Sequence, residues 1–427
     1  MSFQITPTIQ SFMDKIIQKT QSENPKWGKV FEECFLNTLE TTIQRNPDGT
    51  SFVLTGDIPA MWLRDSSAQL RPYMLLAKMD EEVYQLIKGL VTLQFRNIHH
   101  DPYANAFNRE ANGKGHQDDQ TEMTDLIWER KYEIDSLCYP IQLAYLLYLN
   151  TGRTEHLDDE FIKGLKDILQ VWRTEQNHEN SPYHFIRDTD REEDTLVNGV
   201  GTPVGYTGMT WSGFRPSDDR CEYHYLVPSN MFAVVVLGYV EKLSSVIDLP
   251  AEIVAEAISL KEEIQAGIEK YAKVKNKAGE EIYAYEVDGL GNYKIMDDGN
   301  IPSLLSIPYL GYVKNDDAIY LNTRKTILSP ENPYFYKGKY AEGIGSSHTW
   351  EHYIWPMALA IQGLTAQTKS EKKEILDILV NTDGGTNRMH ESFDVDNPEA
   401  FTREWFSWSN MMFCELLLDY YDYQVKI

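Results

Sequence analysis

Apolar residues recur at helical spacing from one end of the chain to the other. The clearest stripe is Val30, Phe31, Cys34, Phe35, Leu39 and Ile43, three or four residues apart on one helix face. Asn46, Pro47, Asp48 and Gly49 then stop it. Comparable stretches fall near 65–79, 81–97, 134–150, 158–174, 229–246, 251–273, 315–328, 350–366, 370–381 and 404–423. Pro228-Ser229-Asn230, ahead of the apolar run Met231 to Leu237, is a typical helix start. The pattern predicts about eleven to thirteen helices. Strand signals are few: Glu281 to Tyr285 and Tyr293 to Ile295 flank the turn Asp288-Gly289-Leu290-Gly291-Asn292 and predict a β-hairpin, and Ser51 to Leu54 predicts a short extended piece.

No low-complexity linker, Pro-rich spacer or long charge run divides residues 1–427, which predicts a single domain. A dozen helices without a parallel-strand pattern leave a stack of helical pairs or a closed double ring of six inner and six outer helices. A stack would carry a fixed sequence period, and none is present. The ring also accounts for long loops rich in Gly, Trp and Asp between helices, since loops at one end of a rigid scaffold commonly carry the site.

Composition narrows the function classes. With 42% hydrophobic and 25% charged residues, the chain is neither disordered nor built on disulfides. Forty basic against sixty-five acidic residues give a formal charge of −25. That charge repels phosphate backbones and anionic lipid heads, so neither nucleic acid nor membrane is an expected partner. The beginning MSFQITPTIQSFMDKII lacks a basic leader with an apolar core, and no apolar run reaches the roughly 18 to 20 residues of a membrane span. Cys34, Cys138, Cys221 and Cys414 are widely scattered, which favours buried free thiols; the expected compartment is the cytoplasm. Nine Trp and twenty-six Tyr supply core, and also flat apolar faces with a polar edge that suit stacking on sugar rings.

Four loops combine charge and aromatic character beyond what a core requires. In Thr55 to Ser67, Gly56 and Pro59 shape the backbone, Trp62 offers a stacking face, and Arg64 beside Asp65 offers donors and acceptors to vicinal hydroxyls. The same residues would serve equally as a helix start. In Gly208 to Arg220, the adjacent Asp218 and Asp219 lie among Trp211, Arg215 and Arg220, so one carboxyl could donate a proton and the other pair with a cation; a solvated turn is the competing reading. Asp297-Asp298-Gly299-Asn300 is ordinary turn chemistry or a hydroxyl-binding loop. In Asn387 to Asp394, Glu391 beside His390 and Arg388 could activate water, with Trp405 and Trp408 close behind.

His348-Thr349-Trp350-Glu351-His352 fits the H-x-x-E-H pattern in which two histidines one helical turn apart hold zinc. Three fixed residues in five are weak support in a long chain, and His348 as a sugar ligand or His352 as a structural histidine is preferred. No metal and no other cofactor is expected. G-x-S-x-G and G-x-G-x-x-G are absent.

In order, the segments GDIPAMWLRDSS, GMTWSGFRPSDD, DDGNIPSLL, IGSSHTWEH and MHESF, spread from residue 56 to 393, resemble glycoside hydrolase family 125, the exo-acting α-1,6-mannosidases. The resemblance implies an all-α (α/α)6 barrel, here with a small β-hairpin insertion, an inverting mechanism, no metal, and an α-mannoside oligosaccharide as substrate. It implies Asp218 as general acid, with Asp219 the rival for that role, and Glu391 as general base. It places Arg64, Asp65, Asp298, Asn300 and His348 around the terminal mannose, with Trp62, Trp211 and Arg215 in the same segments.

Overall fold

The computed structural model describes residues 3–427. Among these residues it has twelve α-helices: α1 Pro7–Thr20, α2 Pro25–Asn37, α3 Leu63–Leu70, α4 Glu81–His100, α5 Ile134–Thr151, α6 Asp159–Glu175, α7 Val227–Leu243, α8 Ala251–Tyr271, α9 Ala318–Ile327, α10 Pro356–Leu364, α11 Lys369–Asn381 and α12 Ser407–Tyr420. Short strands form six small sheets of two or three strands each. The molecule is therefore helix-rich with small sheets, more of them than the one hairpin the sequence predicts.

Two kinds of helix differ in how much of their surface is buried. In α3, α5, α7, α10 and α12 most positions are buried, as expected for a helix largely surrounded by protein. By contrast, α4, α6, α8 and α11 bury one stripe, such as Phe161, Leu165, Ile168 and Trp172 in α6. The mostly buried helices pack in succession: α12 on α3, α3 on α5, α5 on α7, and α10 on α12. The striped helices lie outside them, α4 against α5 and α6, α8 against α6 and α7, and α11 against α10 and α12. Between α7 and α10 the chain passes through turns at 303–312, whose Leu304, Leu305, Ile307 and Leu310 are buried. The Tyr320 hydroxyl of α9 donates to Leu305 O at 2.9 Å. One hydrophobic cluster runs from Phe3 to Tyr420.

The ends of the helices follow the same division except at α8, which starts after Pro250 without a capping side chain. Side chains cap α1 (Thr6), α2 (Asn24), α4 (Asp80), α6 (Asp158), α9 (Asp317) and α11 (Thr368) by accepting from first-turn N–H groups. At the start of α3, α5, α7, α10 and α12 no capping side chain bonds the first turn; the residues there are Trp62, Glu133, Leu226, Trp355 and Phe406.

Several expected boundaries move, each for a local reason. The stripe through Ile43 is helical only to Asn37. Thr38–Thr42 widen into a π turn, with the Thr42 hydroxyl donating to Thr38 O at 2.6 Å, and Ile43 begins a strand paired with Ser51–Val53. The 65–79 stretch leaves the α-helix at Arg71, where Pro72 brings in a 3-10 turn. The helix expected over 350–366 starts at Pro356, since proline favours the first helical position. That expected over 404–423 spans Ser407–Tyr420. Helix α1 was not predicted; its stripe Ile9, Met13 and Ile16 is diluted by polar neighbours. The hairpin around Asp288–Asn292 forms between Glu286–Val287 and Tyr293–Lys294, whereas Glu281–Tyr283 pairs instead with Lys273–Lys275. No described helix is long and apolar enough to cross a membrane.

Candidate active site

Three of the uncapped helix starts, those of α3, α10 and α12, converge on one pocket with about 380 Å³ of empty space, the open solvent at its mouth included. Trp62, Arg64 and Asp65 reach it from the start of α3, Trp355 from that of α10, and Phe406 and Trp408 from that of α12. Loops supply Thr55, Ile58, Pro216, Ser217, Asp218, Asn300, His348, Glu391 and Arg403. Helix starts carry partial positive charge and free N–H groups, an environment that suits carboxylates. A wider recess of about 1170 Å³ lies by α7 and α8, but its carboxyls, Glu269 and Asp317, are not buried.

Arg64 is the electrostatic hub. Its guanidinium meets Glu133 at 2.7 Å, Asp65 at 3.3 Å, Asp218 at 3.3 Å and Asp135 at 3.4 Å, with its side chain 3% exposed. The guanidinium also lies over the Trp408 ring, 5.3 Å from its centroid. One cation cannot offset four carboxylates, three of them buried. Burial pushes the Asp65 carboxyl up to about 6 against the pull of Arg64, and burial raises Glu133 well above the usual carboxylate range.

Asp218 and Asp219, equivalent in the sequence, are opposite in environment. Asp219 N–Cα–C closes a tight turn in which Arg215 N donates to Asp219 O at 2.7 Å and Asp218 N donates to Arg215 O at 2.9 Å. This turn puts Asp218 at φ +67°, with its side chain 28% exposed toward the pocket. The buried Lys131 ammonium holds the Asp218 carbonyl at 2.8 Å. The Asp219 side chain is fully buried and accepts from Arg191 at 2.8 Å, from His348 Nδ1 at 3.0 Å and from the Ser347 hydroxyl. Glu391 enters from the residue before strand Ser392–Asp394, which pairs with Tyr353–Ile354 and so ties the fourth motif to the His348 loop. Arg403 Nη1 donates to Glu391 at 3.2 Å and also grips Asp57.

Polar atoms with no protein partner among the described residues mark where a polar ligand would bond. Thr55 Oγ1, Trp62 Nε1 and Trp408 Nε1 are buried, line this pocket and are unpartnered. With the faces of Trp62, Trp355 and Trp408, they make a wall that is apolar in area and polar at a few points, the composition that binds a sugar ring.

Of the site residues expected from sequence, Asp218, Glu391, Trp62, Arg64, Asp65, Asn300 and His348 all line the pocket. Trp211 does not. It is fully buried, with one face 3.6 Å from the His178 ring and the other 4.6 Å from the His224 ring, so no stacking face is free. Arg215 is buried behind the wall and donates to Glu286 at 2.6 Å. Asp298 is buried there too, accepting from the pocket residue Ser217 at 2.8 Å and from Asn300 N at 3.3 Å. The H-x-x-E-H stretch is a turn followed by a strand, not a helix. His352 adopts φ +68° with its side chain 56% exposed, while His348 points inward to Asp219. Sequence reasoning missed Thr55, Trp355, Phe406 and Arg403 as pocket residues. Gly56 was the available signal for the Thr55 side: a Cβ there would lie 2.5 Å from Trp405 O, so this glycine lets the two loops meet. Arg403 carries no such signal.

The buried carboxyls make stability depend on pH. Burial raises Asp65 and Asp298 to about 6, and burial with the neighbouring Asp298 raises Asp297 to about 8, against about 3.9 in an unfolded chain. A raised folded value means the contribution to stability is complete below about pH 4 and lost as pH rises through 6 to 8. Asp219 has the opposite sign, being held low, so its contribution is lost in acid. We expect urea midpoints to fall from pH 5 to pH 8.5; a midpoint that rises over this interval would contradict burial of these carboxyls.

Residues 24–418 match the family described as metal-independent alpha-mannosidase (GH125). The chain is 39% identical to the meiotically up-regulated gene 157 protein of Schizosaccharomyces pombe, over 94% of this chain and 83% of that protein. A metal-independent alpha mannosidase of Streptococcus pneumoniae, solved as a non-productive substrate complex with alpha-1,6-mannobiose, is 57% identical. It superposes with a TM-score of 0.97 over 98% of this chain and 99% of that one. The glucoamylase of Saccharomycopsis fibuligera, 11% identical, covers 99% of this chain and 97% of its own with a TM-score of 0.55, a likeness of fold.

Proposed function

From a chain that belongs to glycoside hydrolase family 125, the metal-independent α-mannosidases, we infer an exo-acting, inverting enzyme that releases terminal α-1,6-linked mannose from oligosaccharides of the N-glycan type. The observation that carries this reading is the placing of Asp218 and Glu391 in one small pocket, each beside a different arginine.

In the reaction, the Asp218 carboxyl gives its proton to the glycosidic oxygen as the bond from that oxygen to C1 breaks. Glu391 takes a proton from a water whose oxygen forms the new bond to C1 from the opposite face. The products are β-mannose and the shortened oligosaccharide. Inversion requires the two carboxyls to leave room for the water, a separation of roughly 6.5–9.5 Å. Trp62, Arg64, Asp65, Asn300 and His348 bind the sugar hydroxyls, and Asp298 acts by holding Ser217.

The scaffold for this site is read as one catalytic domain, a closed (α/α)6 ring. Its inner members are α3, α5, α7, the 303–312 turns, α10 and α12, and its outer ones α2, α4, α6, α8, α9 and α11. The successive packing of the mostly buried helices and the likeness to glucoamylase support it. Four buried free cysteines fit a reducing, cytoplasmic compartment.

The test is incubation with α-1,2-, α-1,3- and α-1,6-mannobiose, with and without a chelator, followed by proton NMR. Hydrolysis of the α-1,6 isomer with β-mannose appearing first, unchanged by chelator, is expected. Preference for another linkage, or α-mannose as first product, would overturn the assignment of substrate or of mechanism respectively.

A further inference from the structure

Asp219 lines no part of the pocket, yet two other loops are pinned to it. Arg191 reaches it from the 188–194 loop, at 2.8 Å, and also donates to Ser347 O at 3.0 Å. Ser347 and His348 reach it from the loop before α10. Its own backbone carbonyl closes the turn that holds Asp218 in the left-handed region. With Nδ1 committed to Asp219, the imidazole of His348, which does line the pocket, has only Nε2 left for hydrogen bonding.

We propose that Asp219 is a positioning residue for the hydrolysis: its carboxylate turns and charges His348 so that Nε2–H donates to the bound sugar. The proposal rests on the mannoside reading of this pocket. Electrostatics point the same way. Burial works against an ionised Asp219, but the bond and charge of His348, with Arg191 and Ser347, more than offset it and hold the carboxyl well below its usual range. Burial alone would lower His348; the Asp219 bond and charge raise it, helped by the Glu391 and Asp218 carboxylates. The other charged or titratable groups near these are Arg191, Asp194 and Asp298, around Asp219, Arg64, on Asp218, and Arg403, on Glu391. The Trp355 ring packs 6.0 Å from the imidazole centroid. A neutral His348 with its proton on Nδ1 would turn an acceptor toward the pocket; the imidazolium turns a donor.

Asp219→Asn is the informative variant, since it keeps the size, the backbone carbonyl and one accepting oxygen, and replaces the charge and the other accepting oxygen by a neutral NH2 group. We expect kcat on α-1,6-mannobiose to fall about 10–100-fold, as for other groups that orient a ligand-binding histidine, with KM within about threefold. The alkaline limb of kcat/KM should move to lower pH by about one unit or more. In a His348→Gln background the same change should cost less than about threefold, because the effect passes through His348. Additive losses, or an unmoved alkaline limb, overturn the proposal. An independent arm needs no turnover and no folded variant of Asp219: the imidazole resonance absent from His348→Gln should titrate in the unsubstituted protein above the ordinary value of about 6.5. Titration at or below that value overturns it, whatever becomes of the mannosidase assignment.

Discussion

Glu391→Gln lowers kcat on α-1,6-mannobiose by about 10²–10⁴-fold while the protein keeps its fold and its affinity for mannose. Glutamine has the same shape and retains an oxygen for the bond that Arg403 makes to Glu391 at 3.2 Å, so what is lost is the ability to take a proton from water. Asp218→Asn loses a comparable amount on the same substrate, for the complementary reason that the departing oxygen receives no proton. The two variants separate when the leaving group is changed. An aryl α-mannoside with an acidic phenol departs without protonation, so Asp218→Asn recovers much of its rate on that substrate and Glu391→Gln does not. If both recover, or neither, the acid and base roles are wrongly assigned. If Asp219→Asn rather than Asp218→Asn shows the recovery, the acid is the other member of the pair.

The second large effect falls on stability as well as on rate. Arg64→Met removes the cation shared by Asp65, Glu133, Asp135 and Asp218, leaving the first three, almost fully buried, without this counter-charge. Breaking a buried charge cluster at one member typically costs about 3–5 kcal/mol, and a loss of this size in urea denaturation is expected. The deficit should shrink at acid pH. Asp65, Glu133 and Asp135 already have raised affinity for protons, and without Arg64 they bind them more readily still, so protonation relieves the unpaired charge. A deficit equal at pH 5 and pH 8 would mean that Arg64 stabilises by packing over Trp408 rather than by charge. Mannosidase activity should fall in the same variant, because Asp218 loses its anchor at 3.3 Å.

The motif residues that proved to share a pocket were visible because catalysis demands unusual residue combinations in loops. Arg64-Asp65, Asn300, His348 and Glu391 are examples. Trp211 misled for the opposite reason. A tryptophan in a polar loop looks the same whether it faces a ligand or fills the loop's own core, and here His178 and His224 occupy both faces. The H-x-x-E-H pattern assumed helical spacing, but Pro356 starts the helix after it and His352 is left-handed. Arg403 is invisible in one dimension because its importance comes from standing beside both Asp57 and Glu391, 346 and 12 residues away in sequence.

By itself the sequence determined the helix-rich class. Periodicity is a local property, written in consecutive side chains. It also determined the inventory of candidate groups and, through ordered motifs, the family. Only the tertiary structure decided which of Asp218 and Asp219 opens to the pocket. The two residues are chemically identical, and what separates them is a turn that puts one in the left-handed region and the other under three donors from distant loops. The same holds for proton affinity: Asp65 near 6 and a depressed Asp219 follow from burial and from neighbours far away in the chain, so no reading of adjacent residues could assign them.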